Sequence, residues 1–141
     1  MTYQVLIVDD AEINLILFDA LVKRMGNSAS KTFAEAPKGL AWAQSNDVDL
    51  VIVDYMMPEL DGIEFISRLR ATPGKEDVPV LMITANDQKQ IRYRALDAGA
   101  TDFLTKPVDK VEFIARANNM LLLGASRKAL SDRAAWLADE V

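Results

Sequence analysis

The chain has 141 residues, half of them hydrophobic, and a formal net charge of −5. This length and composition predict one packed domain with at most a short appendage, and the acidic balance argues against a nucleic-acid partner. Because the sequence has no cysteine and no histidine, disulfides and the usual zinc ligands are excluded, and any metal must be bound by oxygen.

The first residues, MTYQVLIVDD, lack a basic region and reach acidic residues after a short apolar run. This pattern is typical neither of a signal peptide nor of a membrane span. The later apolar runs are also short. We therefore expect a soluble, cytoplasmic protein without a membrane partner.

Five short segments predict β-strands. Three of them, Gln4–Val8, Val48–Val53 and Val80–Ile83, are rich in Val, Ile and Leu without polar alternation. Such runs are typical of parallel strands that are buried on both faces. Ala29–Phe33 and Thr101–Leu104 are weaker candidates, as expected for short or edge strands.

Helical spacing of apolar residues separates these segments, and Gly26, Pro73-Gly74 and Gly99 follow as stop signals. The alternation predicts an α/β fold in which a doubly wound parallel sheet of five strands carries helices on both faces. The marker residues are Ile13, Ile16, Leu17, Ala20, Leu21 and Met25 for the first helix, Leu40 and Ala43 for the second, Ile63, Ile66 and Leu69 for the third, and Ile91, Ala95, Leu96 and Ala98 for the fourth.

The last third of the chain predicts an extended helix. Its first part has the spacing of a helix packed on the sheet, and its second part steps by 4, 3 and 4 residues, as in a coiled coil. A single surface helix is the alternative, and Gly124 is where the helix would break. We therefore expect one domain over residues 1–123 and a helical extension or linker over residues 124–141. The apolar residues of the first part are Val111, Ile114, Ala117 and Leu121. Those of the second part are Leu130, Ala134, Leu137 and Val141.

Residues with reactive side chains close four of the predicted strands. Asp9-Asp10 follow the first strand, Asp54 the third, Thr84 the fourth and Lys106 the fifth. Parallel strands end at one edge of the sheet, where ligands bind at the switch in connection direction, so these groups should share a pocket. Taken singly, each residue has a plainer role, such as helix capping or solvation. The combination indicates a shared chemical function.

Three carboxylates in one pocket favour a bound divalent cation. At ~4 Å and an effective dielectric of ~20, one carboxylate pair costs about 4 kcal/mol. Mg²⁺ or Mn²⁺ would offset this repulsion through oxygen ligands. A neutralised carboxylate can then attack a phosphoryl donor, while Lys106 and Thr84 stabilise the transferring oxygens. Asp54 is the predicted nucleophile because it ends the central strand.

From about Gln4 to Leu123 the chain resembles the receiver domain of two-component response regulators. The matching motifs are Asp9-Asp10, Asp54 followed by MMPELDG, Thr84-Ala85 and Lys106-Pro107. The resemblance implies a five-stranded sheet of flavodoxin-like strand order. It also implies phosphorylation of Asp54 by a phosphohistidine on a sensor kinase or a phosphotransfer protein.

The resemblance assigns further roles residue by residue. Asp9, Asp10, Asp54 and the backbone carbonyl of Met56 would bind magnesium. Thr84 and Lys106 would contact the phosphoryl group, and the bond before Pro107 would be cis. Phe103 stands at the aromatic switch position, although core packing explains it equally well. Met56 and Asn86 would flank the path of the hydrolytic water. Asn14 matches a residue type that the family often has on the first helix, although a solvent-facing position explains it equally well.

The carboxyl-terminal segment resembles the helical linkers before effector domains, most of all those of HD-GYP-type cyclic di-GMP phosphodiesterases. We therefore expect a fragment of a longer regulator whose effector carries the enzymatic activity. The alternative is a stand-alone receiver whose last helix binds a partner or pairs with a second copy.

Three other classes fit less well. A phosphatase of the haloacid dehalogenase type needs an acid where Met56 stands, and a flavin or nucleotide binder needs phosphate donors where DDAE stands. A degenerate receiver that serves only as an interaction module would lack part of the motif set, and no motif is missing.

Overall fold

The computed structural model describes residues 2–85 and 88–139, and of residues 127–129 and 131–139 it describes only the backbone. Within these bounds five strands alternate with five helices. All five predicted strands are present, each shifted by no more than two residues. The elements are β1 Tyr3–Val8, α1 Glu12–Arg24, β2 Ser28–Phe33, α2 Ala36–Ser45, β3 Leu50–Asp54, α3 Gly62–Arg70, β4 Val80–Thr84, α4 Lys89–Ala98, β5 Asp102–Thr105 and α5 Lys110–Asp139.

The strands form one parallel sheet of order β2-β1-β3-β4-β5. The chain moves outward from β1 to β2 and then crosses back to β3, so the direction of connection reverses between β1 and β3. In doubly wound sheets this switch opens a crevice at the carboxyl ends of the strands. The predicted fold class and strand order are confirmed.

Two hydrophobic clusters cover the two faces of the sheet. In β3, Val51 and Val53 pack with α2, α3 and α4, whereas Leu50 and Ile52 pack with α1 and α5. Successive side chains of a strand point to opposite faces, so a strand covered on both sides must be apolar throughout. This explains why the central strands lack polar alternation.

Helix α1 buries only part of the apolar residues that mark it in the sequence: Leu21 is buried and Met25 packs against the same cluster, but other marker residues are exposed. Ile13 and Ile16 are 76% and 64% exposed, whereas Leu15 and Phe18 are buried. The helix carries apolar residues around most of its circumference, so spacing alone does not select a face. The Phe18 ring stacks on Phe113 of α5, with 5.3 Å between ring centroids. This contact directs the Leu15 and Phe18 face toward the sheet.

Helix α5 runs without a break through Gly124, contrary to the predicted interruption. A Cβ at Gly124 would lie 3.0 Å from Pro79 Cγ, so the glycine allows the helix to pass close to the loop before β4. Val111 is 76% exposed, and the buried residue of this turn is Phe113 instead. Leu130 is exposed. The remaining positions of the coiled-coil pattern, Ala134, Leu137 and Val141, lie outside the described side chains.

None of the helices that the structure describes combines the length and the hydropathy needed to cross a bilayer.

Candidate functional site

Three carboxylates converge at the carboxyl ends of β1 and β3. Asp9, Asp10 and Asp54 each offer an oxygen atom, and these atoms lie within 4.8 Å of one another. Asp9 and Asp54 are buried, whereas Asp10 is exposed to solvent. Since β1 and β3 are neighbours in the sheet, the topology itself produces the predicted cluster.

Asp54 is paired with the predicted lysine. The Lys106 Nζ atom lies 2.9 Å from Asp54 Oδ1, and the Asp54 side chain is only 6% exposed. Burial raises the pKa of Asp54, and the nearby Asp9 adds to this rise, while Lys106 opposes it. The effect of burial on this carboxyl therefore outweighs the opposing effect of the ammonium group.

Asp9 also organises the start of α1. Its Oδ1 atom accepts a hydrogen bond from the Ala11 backbone N–H at 2.9 Å, and its Oδ2 atom accepts one from Asn14 Nδ2 at 3.2 Å. Burial raises the pKa of Asp9, and the bond from Ala11 opposes that rise. The N-cap of α1 is Ala11, and Asp9 bonds to the N–H of that residue rather than to an N–H inside the helix, so the helix-capping role considered for Asp9 is not observed. Asn14, which the sequence left open, contacts the site.

Thr84 and Lys106 come together at the ends of β4 and β5. The Lys106 backbone N–H donates to the Thr84 carbonyl at 2.8 Å, and Thr84 is buried. The bond between Lys106 and Pro107 is cis, as the resemblance implied. This arrangement places the Lys106 ammonium group over Asp54.

The loop after Asp54 is held close to the acceptor strand. The Gly62 N–H donates to the Tyr55 carbonyl at 2.8 Å, and a Cβ at Gly62 would lie 2.5 Å from the Asp54 carbonyl oxygen. Asp61 caps α3 by accepting a hydrogen bond from the Glu64 N–H at 2.8 Å. In this loop the Met56 side chain is 68% exposed.

Phe103 lies on β5, half-buried against the cluster that packs under α2, α3 and α4. The Arg92 guanidinium of α4 covers its ring, with Cζ 4.9 Å from the ring centroid. No pattern in the sequence predicts this contact. Asn86, which was expected to flank the water path, lies outside the described residues.

The donor set fits a hard divalent cation. Carboxylate oxygens are the ligands that Mg²⁺ and Mn²⁺ prefer. Of the groups described around the cluster, Lys106 supplies one positive charge against three carboxylates. A cation between these oxygens would relieve the repulsion that helps raise the pKa of Asp54.

A family model described as the response regulator receiver domain matches residues 5–118. The chain belongs to the response regulator receiver family. Over 102 residues it is 40% identical to the cyclic di-GMP phosphodiesterase response regulator RpfG of Xanthomonas campestris, an alignment that covers 72% of this chain and 27% of that protein. Over 120 residues it is 37% identical to the response regulator PleD of Caulobacter vibrioides, covering 85% of this chain and 26% of PleD. The chain thus spans about a quarter of the length of these curated relatives.

A solved receiver domain shows the same fold. It belongs to the sensor histidine kinase PA1611 of Pseudomonas aeruginosa, with a TM-score of 0.78 and 25% identity over 86% of this chain and 98% of that one. That structure is described with a magnesium ion coordinated in the active-site cleft. The receiver identity expected from the sequence is confirmed.

Proposed function

We propose that this receiver domain accepts a phosphoryl group on Asp54. The observation that carries the proposal is the environment of this carboxylate. It is buried, it has Lys106 Nζ at 2.9 Å, and it shares a pocket with Asp9 and Asp10. A carboxylate flanked by a cation and by metal-ligating acids is suited to attack phosphorus.

The carboxylates of Asp9, Asp10 and Asp54 and the backbone carbonyl of Met56 are our proposed ligands for Mg²⁺ or Mn²⁺. When bound, such a cation neutralises the acids and polarises the phosphoryl oxygens. The clustering of the three acids within 4.8 Å supports this ligand set.

In the proposed reaction an Asp54 carboxylate oxygen bonds to phosphorus as the phosphorus–nitrogen bond of a phosphohistidine donor breaks. The electron pair of that bond stays with the imidazole nitrogen. Lys106 then shifts from the carboxylate to an oxygen of the transferring group, and the Thr84 hydroxyl donates to another. The buried position of Asp54 limits water around the product.

The donor is a sensor histidine kinase or a phosphotransfer protein in this proposal. A partner surface is available beside the site on α1. Ile13 and Ile16 are largely exposed, and Leu17 is 37% exposed. These residues lie on the same helix as Asn14, which contacts Asp9. Exposed apolar side chains next to a reactive pocket are typical of protein–protein contact.

Residues 1–123 form the receiver in our proposal, and residues 124–141 lead to an effector. Thr84, Phe103 and Pro107 would carry the change at Asp54 to the rest of the domain. The likeness of this chain to one part of RpfG supports its origin in a longer cytoplasmic regulator, with a cyclic di-GMP phosphodiesterase as the candidate effector. The receiver itself would catalyse only its own phosphorylation and dephosphorylation. The alternative output is a homodimer through the last helix.

The test is intact mass after incubation with Mg²⁺ and a small phosphodonor such as acetyl phosphate. We expect one phosphate adduct in the wild type and in the control Asp97→Ala, which removes an exposed acid of α4. We expect none in Asp54→Ala, and none in the wild type when Mg²⁺ is chelated. An adduct on Asp54→Ala would refute the assignment.

A further inference from the structure

Arg92 of α4 makes an unusual contact beside the site. Its guanidinium lies over the Phe103 ring with Cζ 4.9 Å from the centroid. Its Nε atom is buried and has no hydrogen-bond partner among the described residues. Buried N–H groups nearly always find an acceptor, so an unpaired one calls for an explanation. The face of the Phe103 ring supplies a favourable contact for this cation that needs no acceptor atom.

This contact joins α4, the helix that follows Thr84, to β5, the strand that precedes Lys106. Helix α4 begins shortly after Thr84, which ends β4, and Phe103 lies three residues before Lys106 on β5. The Lys106 N–H also bonds to the Thr84 carbonyl. A shift of α4 relative to β5 would therefore act on both Thr84 and Lys106.

Strand β5 depends on side-chain contacts for its position. In the part of the chain that the structure describes, it is an edge strand with β4 as its one partner. Arg92 and the core residues around it hold Phe103 on one face, while Leu104 packs into the cluster on the other. An edge strand has backbone hydrogen bonds on one side only. Loss of a side-chain contact on one face should therefore move it more than it would move a central strand.

We propose that Arg92 is a positioning residue that acts through Phe103. By covering the ring it holds β5 in place, and so keeps the Lys106 ammonium group against Asp54. Because Nε has no hydrogen-bond partner among the described residues, the ring contact contributes more to the position of the guanidinium than it would beside a bonded Nε. The effect of Arg92 on the position of β5 is inferred from the contacts alone. Its effect on phosphorylation rests on the function proposed above.

The structural part is tested by ¹H–¹⁵N spectra of the full chain without phosphate. We expect Arg92→Ala to shift the backbone amide signals of Thr105 and Lys106. The matched control is Arg94→Ala, which removes an exposed arginine two residues along the same helix, and it should leave those signals in place. Unmoved signals in Arg92→Ala, or equal shifts in the control, would overturn the proposal.

The functional part is tested by the rate of adduct formation with acetyl phosphate and Mg²⁺, read by intact mass. We expect Arg92→Ala to slow it by about twofold to tenfold, the range of a lost cation–π contact, and Arg92→Lys to recover part of the loss. On a Phe103→Leu background, Arg92→Ala should have no further effect. Equal slowing on both backgrounds would show that Arg92 does not act through Phe103. If the wild type takes no phosphate, the proposed function fails, and the amide shifts alone decide the role of Arg92.

Discussion

Replacing Gly62 with alanine should disturb the acceptor strand directly. The added Cβ would lie 2.5 Å from the Asp54 carbonyl oxygen and 3.0 Å from Tyr55 Cα, below the 3.4 Å at which ordinary contact begins. Both neighbours are backbone atoms, so relief requires the end of β3 to move by about 1 Å relative to α3. The Gly62 hydrogen bond to the Tyr55 carbonyl would be strained by the same movement.

Two terms set the expected size of the effect. Forcing a methyl group into a packed site costs about 1–3 kcal/mol, and alanine recovers up to about 1 kcal/mol through its helix preference. We therefore expect Gly62→Ala to lower the free energy of unfolding by about 2 kcal/mol, measured by urea denaturation. We also expect phosphorylation to slow by at least about tenfold, because displacements of this size misplace the nucleophile.

The control is Gly124→Ala. Its Cβ would lie 3.0 Å from Pro79 Cγ, 3.5 Å from Pro79 Cδ and 3.8 Å from the Asp49 carbonyl oxygen, so the one tight contact is with a side-chain atom, and Gly124 stands within a long helix. The helix preference of alanine then offsets the contact, so stability should change by less than about 1 kcal/mol and phosphorylation should not change. A Gly62→Ala protein as stable and as reactive as the Gly124→Ala protein would refute the reasoning.

Three further predictions concern charge and lifetime. Asp54→Asn should raise the free energy of unfolding in Mg²⁺-free buffer by on the order of 1 kcal/mol, because burial disfavours the ionised carboxylate. Mg²⁺ should stabilise the wild type more than the variant. Thermal unfolding with and without Mg²⁺ measures both effects, and equal stabilisation of the two proteins by Mg²⁺ would contradict the ligand assignment. The Ser30 hydroxyl donates to Asp19 and, as the largest cause, holds the pKa of that carboxyl below its usual 3.8. A depressed carboxyl pKa gives stability that is present above the unfolded value and is lost as pH falls through the folded value. Ser30→Ala should therefore cost about 1 kcal/mol at neutral pH and much less below pH 3.8, by urea denaturation at both pH values; a pH-independent loss would count against it. The exposed Met56 thioether is a weak hydrogen-bond acceptor for water approaching Asp54, so the aspartyl phosphate should last minutes or longer, and a half-life of seconds by intact mass would show this wrong.

The sequence predicted the strands and the convergence of Asp54, the two neighbouring acids and Lys106 because both follow from simple rules. Strands covered on both faces must be apolar, and this made β1, β3 and β4 recognisable. Parallel strands end at one edge, so residues such as Asp54 and Lys106, more than fifty positions apart in the sequence, were expected to meet.

The errors arose where a local pattern admits more than one packing. Helix α1 is apolar on more than one side, and its buried face is set by tertiary contacts such as the stack of Phe18 on Phe113. Gly124 was read as a helix breaker, because its packing against Pro79 depends on a distant loop. The Arg92 contact with Phe103 joins two elements through side-chain geometry, which residue spacing does not encode.

The central claim is that Asp54 is the phosphoacceptor, and trapping the acyl phosphate tests it most directly. Borohydride reduces an aspartyl phosphate to homoserine, which peptide mass spectrometry locates in the chain. After incubation with Mg²⁺ and acetyl phosphate, we expect homoserine at position 54 and at no other aspartate. Homoserine at position 9 or 10, with Asp54 unchanged, would contradict the account.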